Sequence, residues 1–339
     1  MSRTTCRFAC HFLPVLVLAC ATRPPPKPTE KVVAPPPAAA PVLEKMHEPL
    51  EVLPLELFFS GVRGVAKSTE SVTVRNTGDA SVAVSELLVV GSQAATFTLT
   101  DLPPLPLLLR PNQAVTVTVG FAPPADAAPG VHRARLRIVR SGEDDGPPCD
   151  MSALVATGTD LGSEPRLPQI LETLGYASDV GPVGADAAAP QAKGEVTTRL
   201  FQHAKPGSVG LYVVARYAHD ESSSYGSYAL ENGKLLTRPM GSIAKGHNQT
   251  LNPELDGEGQ TSFDPGENPF GIYVKLPKRT LYSEVERNTD GGKHAMRIFQ
   301  LRSRGGSLVP DALLVVVDED GDGDFQDYVF TLVNVRPAR

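Results

Sequence analysis

Ala114-Val115-Thr116-Val117-Thr118-Val119 and Arg133-Ala134-Arg135-Leu136-Arg137-Ile138 both alternate side-chain character at every second position. Successive side chains of a strand point to opposite faces, so each run offers one face to a core and one to water. Ser71-Val72-Thr73-Val74 repeats the pattern upstream. Asn76-Thr77-Gly78-Asp79 and Pro111-Asn112-Gln113 punctuate these runs with residues that favour turns. About seven such strands in residues 50–160 predict an immunoglobulin-like β-sandwich. Its one histidine, His132, is expected on a strand surface.

Residues 161–339 predict a second β-domain. A short helical piece is expected near residues 167–174, and the Gly-, Ala- and Pro-rich residues 181–194 read as a loop. Strands are expected at Val196-Thr197-Thr198-Arg199-Leu200-Phe201 and at residues 209–217, 228–230, 235–236, 270–275, 295–301, 312–317 and 328–335. Asn232-Gly233 supplies the positive φ values of a type I′ hairpin turn. The expected fold class is mainly β, an Ig-like sandwich followed by an antiparallel sandwich or jelly roll.

One segment carries distinct chemistry: Asp318-Glu319-Asp320-Gly321-Asp322-Gly323-Asp324-Phe325-Gln326-Asp327. It joins the apolar run Val315-Val316-Val317 to Tyr328-Val329-Phe330 and packs six carboxylates into ten residues. Such a group repels itself unless a cation or water screens it. Asp318, Asp320 and Asp322, followed by Gly323, match the first half of an EF-hand loop. The twelfth position is Val329 rather than Glu, and no helices flank the loop, so the reading is a calcium loop on a β-hairpin. Its metal ligands are expected from Asp318, Asp320, Asp322, Asp324 and Asp327, with calcium as cofactor. The alternative is a solvated acidic hairpin tip.

The N-terminus reads as an export signal. Arg3 and Arg7 precede an apolar stretch, residues 8–19, that is too short to span a bilayer as a mature helix. The stretch ends Val17-Leu18-Ala19-Cys20, which resembles the bacterial lipobox. That resemblance implies cleavage before Cys20, diacylation of its thiol, and membrane attachment through the lipidated N-terminus. Ala21 after the cysteine, by the same resemblance, implies the outer membrane. Residues 1–20 are thus assigned to the signal and 21–49 to a linker. Within it, residues 22–41 hold eight prolines and predict an extended stalk of roughly 60 Å.

Two further resemblances bear on the folded part. Leu55-Glu56-Leu57-Phe58-Phe59, Val72-Thr73-Val74-Arg75-Asn76-Thr77-Gly78, Ala94-Ala95-Thr96-Phe97-Thr98-Leu99, Leu109-Arg110-Pro111-Asn112-Gln113, Val117-Thr118-Val119-Gly120-Phe121-Ala122-Pro123 and Leu154-Val155-Ala156-Thr157-Gly158-Thr159 together resemble the Hydin-like (ASH) domain of bacterial choice-of-anchor D proteins. This implies a structural or interaction module. Phe270-Gly271-Ile272-Tyr273-Val274, Arg297-Ile298-Phe299 and Gly323-Asp324-Phe325-Gln326-Asp327-Tyr328-Val329-Phe330 are similar to a C-terminal β-domain of secreted bacterial surface proteins. That implies a calcium-assisted fold with no catalytic assignment.

Composition narrows the function classes. The net charge of −6 argues against nucleic acid as a partner. Of four cysteines only Cys149 lies in the folded body, so neither a disulfide between body cysteines nor a thiolate zinc cluster can form. Cys149 is expected as a small buried side chain at a strand start. There is no His-Glu-x-x-His and no Gly-x-Ser-x-Gly. His219-Asp220-Glu221 before Ser222-Ser223-Ser224 reads as a polar loop. Tyr217, Tyr225, Tyr228, Tyr273 and Tyr282 are expected in strands rather than on a sugar platform. The favoured function is a non-enzymatic cell-envelope lipoprotein, a surface-tethered binding or structural module with an unknown protein or polysaccharide ligand. A hydrolase of envelope or extracellular polymer, or a carbohydrate-binding module, stays open as the alternative.

Overall fold

The computed structural model describes residues 49–65, 68–142, 145–158, 163–181, 194–257, 259–288 and 294–338. The signal with Cys20 and, apart from Pro49, the linker assigned to residues 21–49 lie outside the described residues. Among the described residues no helix is long and apolar enough to cross a membrane.

The chain is mainly β. Its first part contains β1 (Leu50–Leu53), β2 (Glu56–Val62), β3 (Ser68–Asn76), β4 (Val82–Val90), β5 (Phe97–Thr100), β6 (Leu107–Leu109), β7 (Ala114–Phe121), β8 (Gly130–Arg140) and β9 (Cys149–Ala156). These nine strands, rather than about seven, form two sheets ordered β1-β3-β7-β5 and β2-β9-β8-β4-β6. Val72, Val74, Val117, Val119, Leu136 and Ile138 fill the core between them, as the alternation requires. Among the described residues of this part, all strand pairings are antiparallel except β2 with β9. Asn76 closes the first turn from inside. Its Nδ2 donates to the carbonyls of Ala80 (2.8 Å) and Leu109 (2.9 Å), and its Oδ1 accepts the Gly78 amide at 2.9 Å.

His132 departs from expectation, being buried with its Nε2 2.8 Å from the Ala128 carbonyl oxygen. The physical reason is parity. Arg133, Arg135 and Arg137 point outward on β8, so His132 shares the inward face with Ala134, Leu136 and Ile138.

The helix α1 (Leu167–Thr173) follows. The second part comprises β10 (Phe201–His203), β11 (Val209–Tyr217), β12 (Ser223–Glu231), β13 (Lys234–Ile243), β14 (Gln249–Leu251), β15 (Ser262–Phe263), β16 (Phe270–Lys275), β17 (Thr280–Tyr282), β18 (Met296–Arg302), β19 (Leu308–Val317), β20 (Tyr328–Val333) and β21 (Val335–Pro337). One sheet runs β14-β11-β20-β19-β18 with β15 on β11; the other runs β13-β12-β16-β10-β21 with β17 on β16. Asn232 and Gly233 have φ of 51° and 76° between the paired ends of β12 and β13, as a type I′ turn requires. The strand expected at Val196 to Phe201 is corrected: only Phe201 enters a strand. Glu195 bridges to Phe299 in one sheet while Phe201 pairs with Phe270 in the other, so this segment crosses between sheets and cannot stay in one ladder.

A third core joins the two sandwiches. Leu154 of β9, the apolar face of α1 (Leu167, Ile170, Leu171), and Leu251, Phe299, Ala312, Leu314, Val316 and Val329 pack together. Residues 313, 315 and 317 of β19 face the core of the second sandwich instead. Ala312-Leu313-Leu314-Val315-Val316-Val317 is therefore buried on both faces, and this explains why its sequence does not alternate.

Candidate metal site in the acidic hairpin

Val317 and Tyr328 are paired partners, so residues 318–327 form the tip of the β19–β20 hairpin. The tip is held down at both ends. Asp318 donates its amide to the Ala295 carbonyl at 2.9 Å, and the Asp327 carbonyl accepts the Tyr217 amide at 3.1 Å. Inside the loop, Asp318 organises the backbone: its Oδ1 accepts the Gly321 amide at 2.6 Å and its Oδ2 the Gly323 amide at 2.9 Å. Gly321, Gly323 and Phe325 have φ of 82°, 86° and 56°. The glycines accept this left-handed backbone without steric cost; Phe325 accepts it with its ring buried in the third core.

This winding sorts the five aspartates. One oxygen each from Asp318, Asp322 and Asp324 lies within 4.8 Å of the others. Calcium binds oxygen at about 2.3–2.6 Å, so two ligands on one ion sit no more than roughly 5 Å apart. The trio meets that limit. Asp320, which the spacing places beside Asp318 and Asp322, turns away: its Oδ2 lies 3.1 Å from His219 Nε2. Asp327 is buried and accepts the Glu319 amide at 2.5 Å. Glu164, remote in sequence, reaches the loop by accepting a hydrogen bond from Gln326 Nε2 at 2.8 Å. Nothing in its own neighbourhood marks it as part of this site.

The electrostatics are those of crowded, partly desolvated acids. Burial raises the Asp318, Glu319 and Asp327 carboxyls above their ordinary range. Asp324 is pushed up to about 7, first by burial and then by the charge of Asp322. Even at the outer limit of 4.8 Å for this group, two carboxylates repel by about 1 kcal/mol in water and by roughly 3.5 kcal/mol at a surface-like dielectric of about 20. A divalent cation among the three reverses the sign of that interaction.

Beside the tip lies a cleft of about 410 Å³ lined by His219, Glu221, Leu276, Lys278, Arg279, Glu319 and Asp320. Beneath it, the fully buried Arg216 holds the turn that carries His219. Its Nη2 donates to the His219 carbonyl at 2.9 Å and to the Glu221 carbonyl, while Nη1 reaches the Ala244 carbonyl at 3.4 Å. Asp220 is engaged elsewhere, accepting the Gly246 amide at 2.6 Å. Tyr217, Tyr225, Tyr228 and Tyr273 are buried, and Tyr282, half-buried in β17, packs edge-on against Tyr228 at 5.2 Å between ring centroids. Cys149 is buried at the start of β9, and burial pushes its thiol up to about 12.

No family model and no curated protein matches the chain. Among solved structures, a family 123 glycoside hydrolase from Clostridium perfringens is 11% identical over 34% of this chain, with a TM-score of 0.25. The chain spans only 24% of that hydrolase. An ASH/PapD-like domain of a human protein is 13% identical, covering 39% of this chain and 99% of that one at a TM-score of 0.25. A Porphyromonas gingivalis protein of unknown function is 12% identical, covering 77% and 95% at a TM-score of 0.26. At such scores none of the three bears on the site or its chemistry.

Proposed function

We propose that this chain is a non-enzymatic binding or structural module of the bacterial cell envelope, tethered through lipidated Cys20, with a second sandwich stabilised by calcium. The first sandwich acts as an Ig-like interaction module of the ASH type. The observation that carries the calcium assignment is the convergence of Asp318, Asp322 and Asp324 oxygens within 4.8 Å of one another. All three donors are hard carboxylate oxygens on a loop wound around the Asp318 side chain, the chemistry that calcium prefers. Backbone carbonyls and water complete the shell. Calcium binds the native tip and not the unfolded chain, so it stabilises the fold by mass action.

Calorimetric titration of the protein with calcium tests this reading. One ion per chain is expected, with binding lost in Asp322→Ala, whose exposed side chain is not needed for packing. Absence of binding by the wild-type chain, or equal binding by the variant, would remove calcium from the account.

A further inference from the structure

Adjacent carboxylates of the acidic tip face two different ways, and the second direction leads into the cleft beside it. There, ligand atoms of His219, Glu319 and Asp320 all lie within 4.8 Å of one another. His219 Nε2 and Asp320 Oδ2 are 3.1 Å apart, close to the edge of about 3.3 Å in a tetrahedron built on bonds of 2.0–2.1 Å. Glu319 is 4% exposed and rigidly placed: its amide donates to Asp327 Oδ2 and its Oε1 accepts the His219 amide at 2.8 Å. No donor among the described residues meets its Oε2, although Glu319 lines the cleft. His219 is fixed from below by the grip of Arg216 on its carbonyl.

We propose that His219, Glu319 and Asp320 bind one divalent transition-metal ion of the zinc class at the mouth of this cleft. The ion takes the imidazole nitrogen and one oxygen from each carboxylate. Its open position faces the cleft, where Lys278 and Arg279 favour an anionic fourth ligand. The imidazole separates this site from the all-oxygen trio of Asp318, Asp322 and Asp324, because nitrogen donors select zinc-like ions and oxygen cages select calcium. The two sites share a loop but no ligand, so either stands without the other.

The test is zinc titration of the untagged chain in excess calcium, with cobalt as a spectroscopic substitute. One zinc per chain is expected, and the cobalt form should show the intense visible bands of a low-coordinate site. Losing even an outer-shell partner costs metal affinity ~10–100-fold, so His219→Ala is expected to weaken zinc binding at least tenfold while calcium binding persists. The His219 side chain is largely exposed, which leaves the fold intact; Asp320→Asn gives a second variant with the same expectation. No zinc uptake by the wild type, or unchanged affinity in both variants, would overturn the site and leave a plain His–Asp hydrogen bond.

Discussion

Replacing Asp324 with Asn isolates the cost of packing carboxylates into the hairpin tip. The Asp324 carboxyl stands at about 7 in the folded protein against an ordinary value of 3.8, with burial as the leading cause and Asp322 next. At 1.36 kcal/mol per pH unit, the difference of about 3 units corresponds to at most about 4 kcal/mol. Partial solvent screening reduces it, so a working range is about 1–4 kcal/mol. The sign follows from linkage. A carboxyl whose folded value is raised binds its proton more tightly in the native state. Its contribution is fully present below pH 3.8 and is lost as pH rises through about 7. Asn keeps the size and the acceptor oxygen but never ionises. In chelator, Asp324→Asn is therefore expected to match the wild type at pH 4 and to exceed it at pH 8. Urea unfolding followed by circular dichroism would read this as a midpoint higher by roughly 0.3–1.3 M at a slope of about 3 kcal/mol/M. In saturating calcium the order reverses, because the variant has lost an anionic ligand. A variant no more stable than the wild type in chelator at pH 8, or a gap of equal size at pH 4 and pH 8, would refute the reasoning.

Three further outcomes are expected. Cys149, buried and with its thiol raised to about 12, should resist thiol reagents in the native protein at pH 8 and react once the chain is unfolded. Leu314→Ala, in the core shared by both sandwiches, should cost about 2–5 kcal/mol and split a single unfolding transition into two, read by calorimetry. On the proposed lipid anchor, Cys20→Ser should abolish incorporation of a labelled fatty acid into the protein, read by metabolic labelling, and equal labelling of the variant would remove the anchor.

Much of the architecture was legible because water faces one side of most strands. On β8 the outward arginines announced the inward Ala134, Leu136 and Ile138, and the same parity placed His132 inside, against its expected surface position. Where a sheet is covered on both faces, the alternation disappears. The unbroken apolar run of β19 and the mostly buried β9 were the marks of the core between sandwiches, a layer that a strand-by-strand reading does not supply. The hairpin was visible in its acidic composition, but the sorting of its carboxylates into two groups was not. Spacing groups Asp318 with Asp320 and Asp322, whereas the left-handed backbone at Gly321 and Gly323 brings Asp324 into that group and sends Asp320 toward His219, 101 positions earlier in the chain. Pairings over such sequence distances depend on sheet order, which leaves no local trace.

Thermal unfolding in calcium and in chelator, for the wild type and for an Asp318→Asn, Asp322→Asn, Asp324→Asn variant, tests the central claim most directly. With calcium at a hundred times its dissociation constant, the expected stabilisation is about 2.7 kcal/mol, or a rise in midpoint of roughly 5–10 °C, absent from the variant. A wild-type midpoint that calcium does not move, or one that it raises equally in the variant, would contradict a calcium-stabilised module.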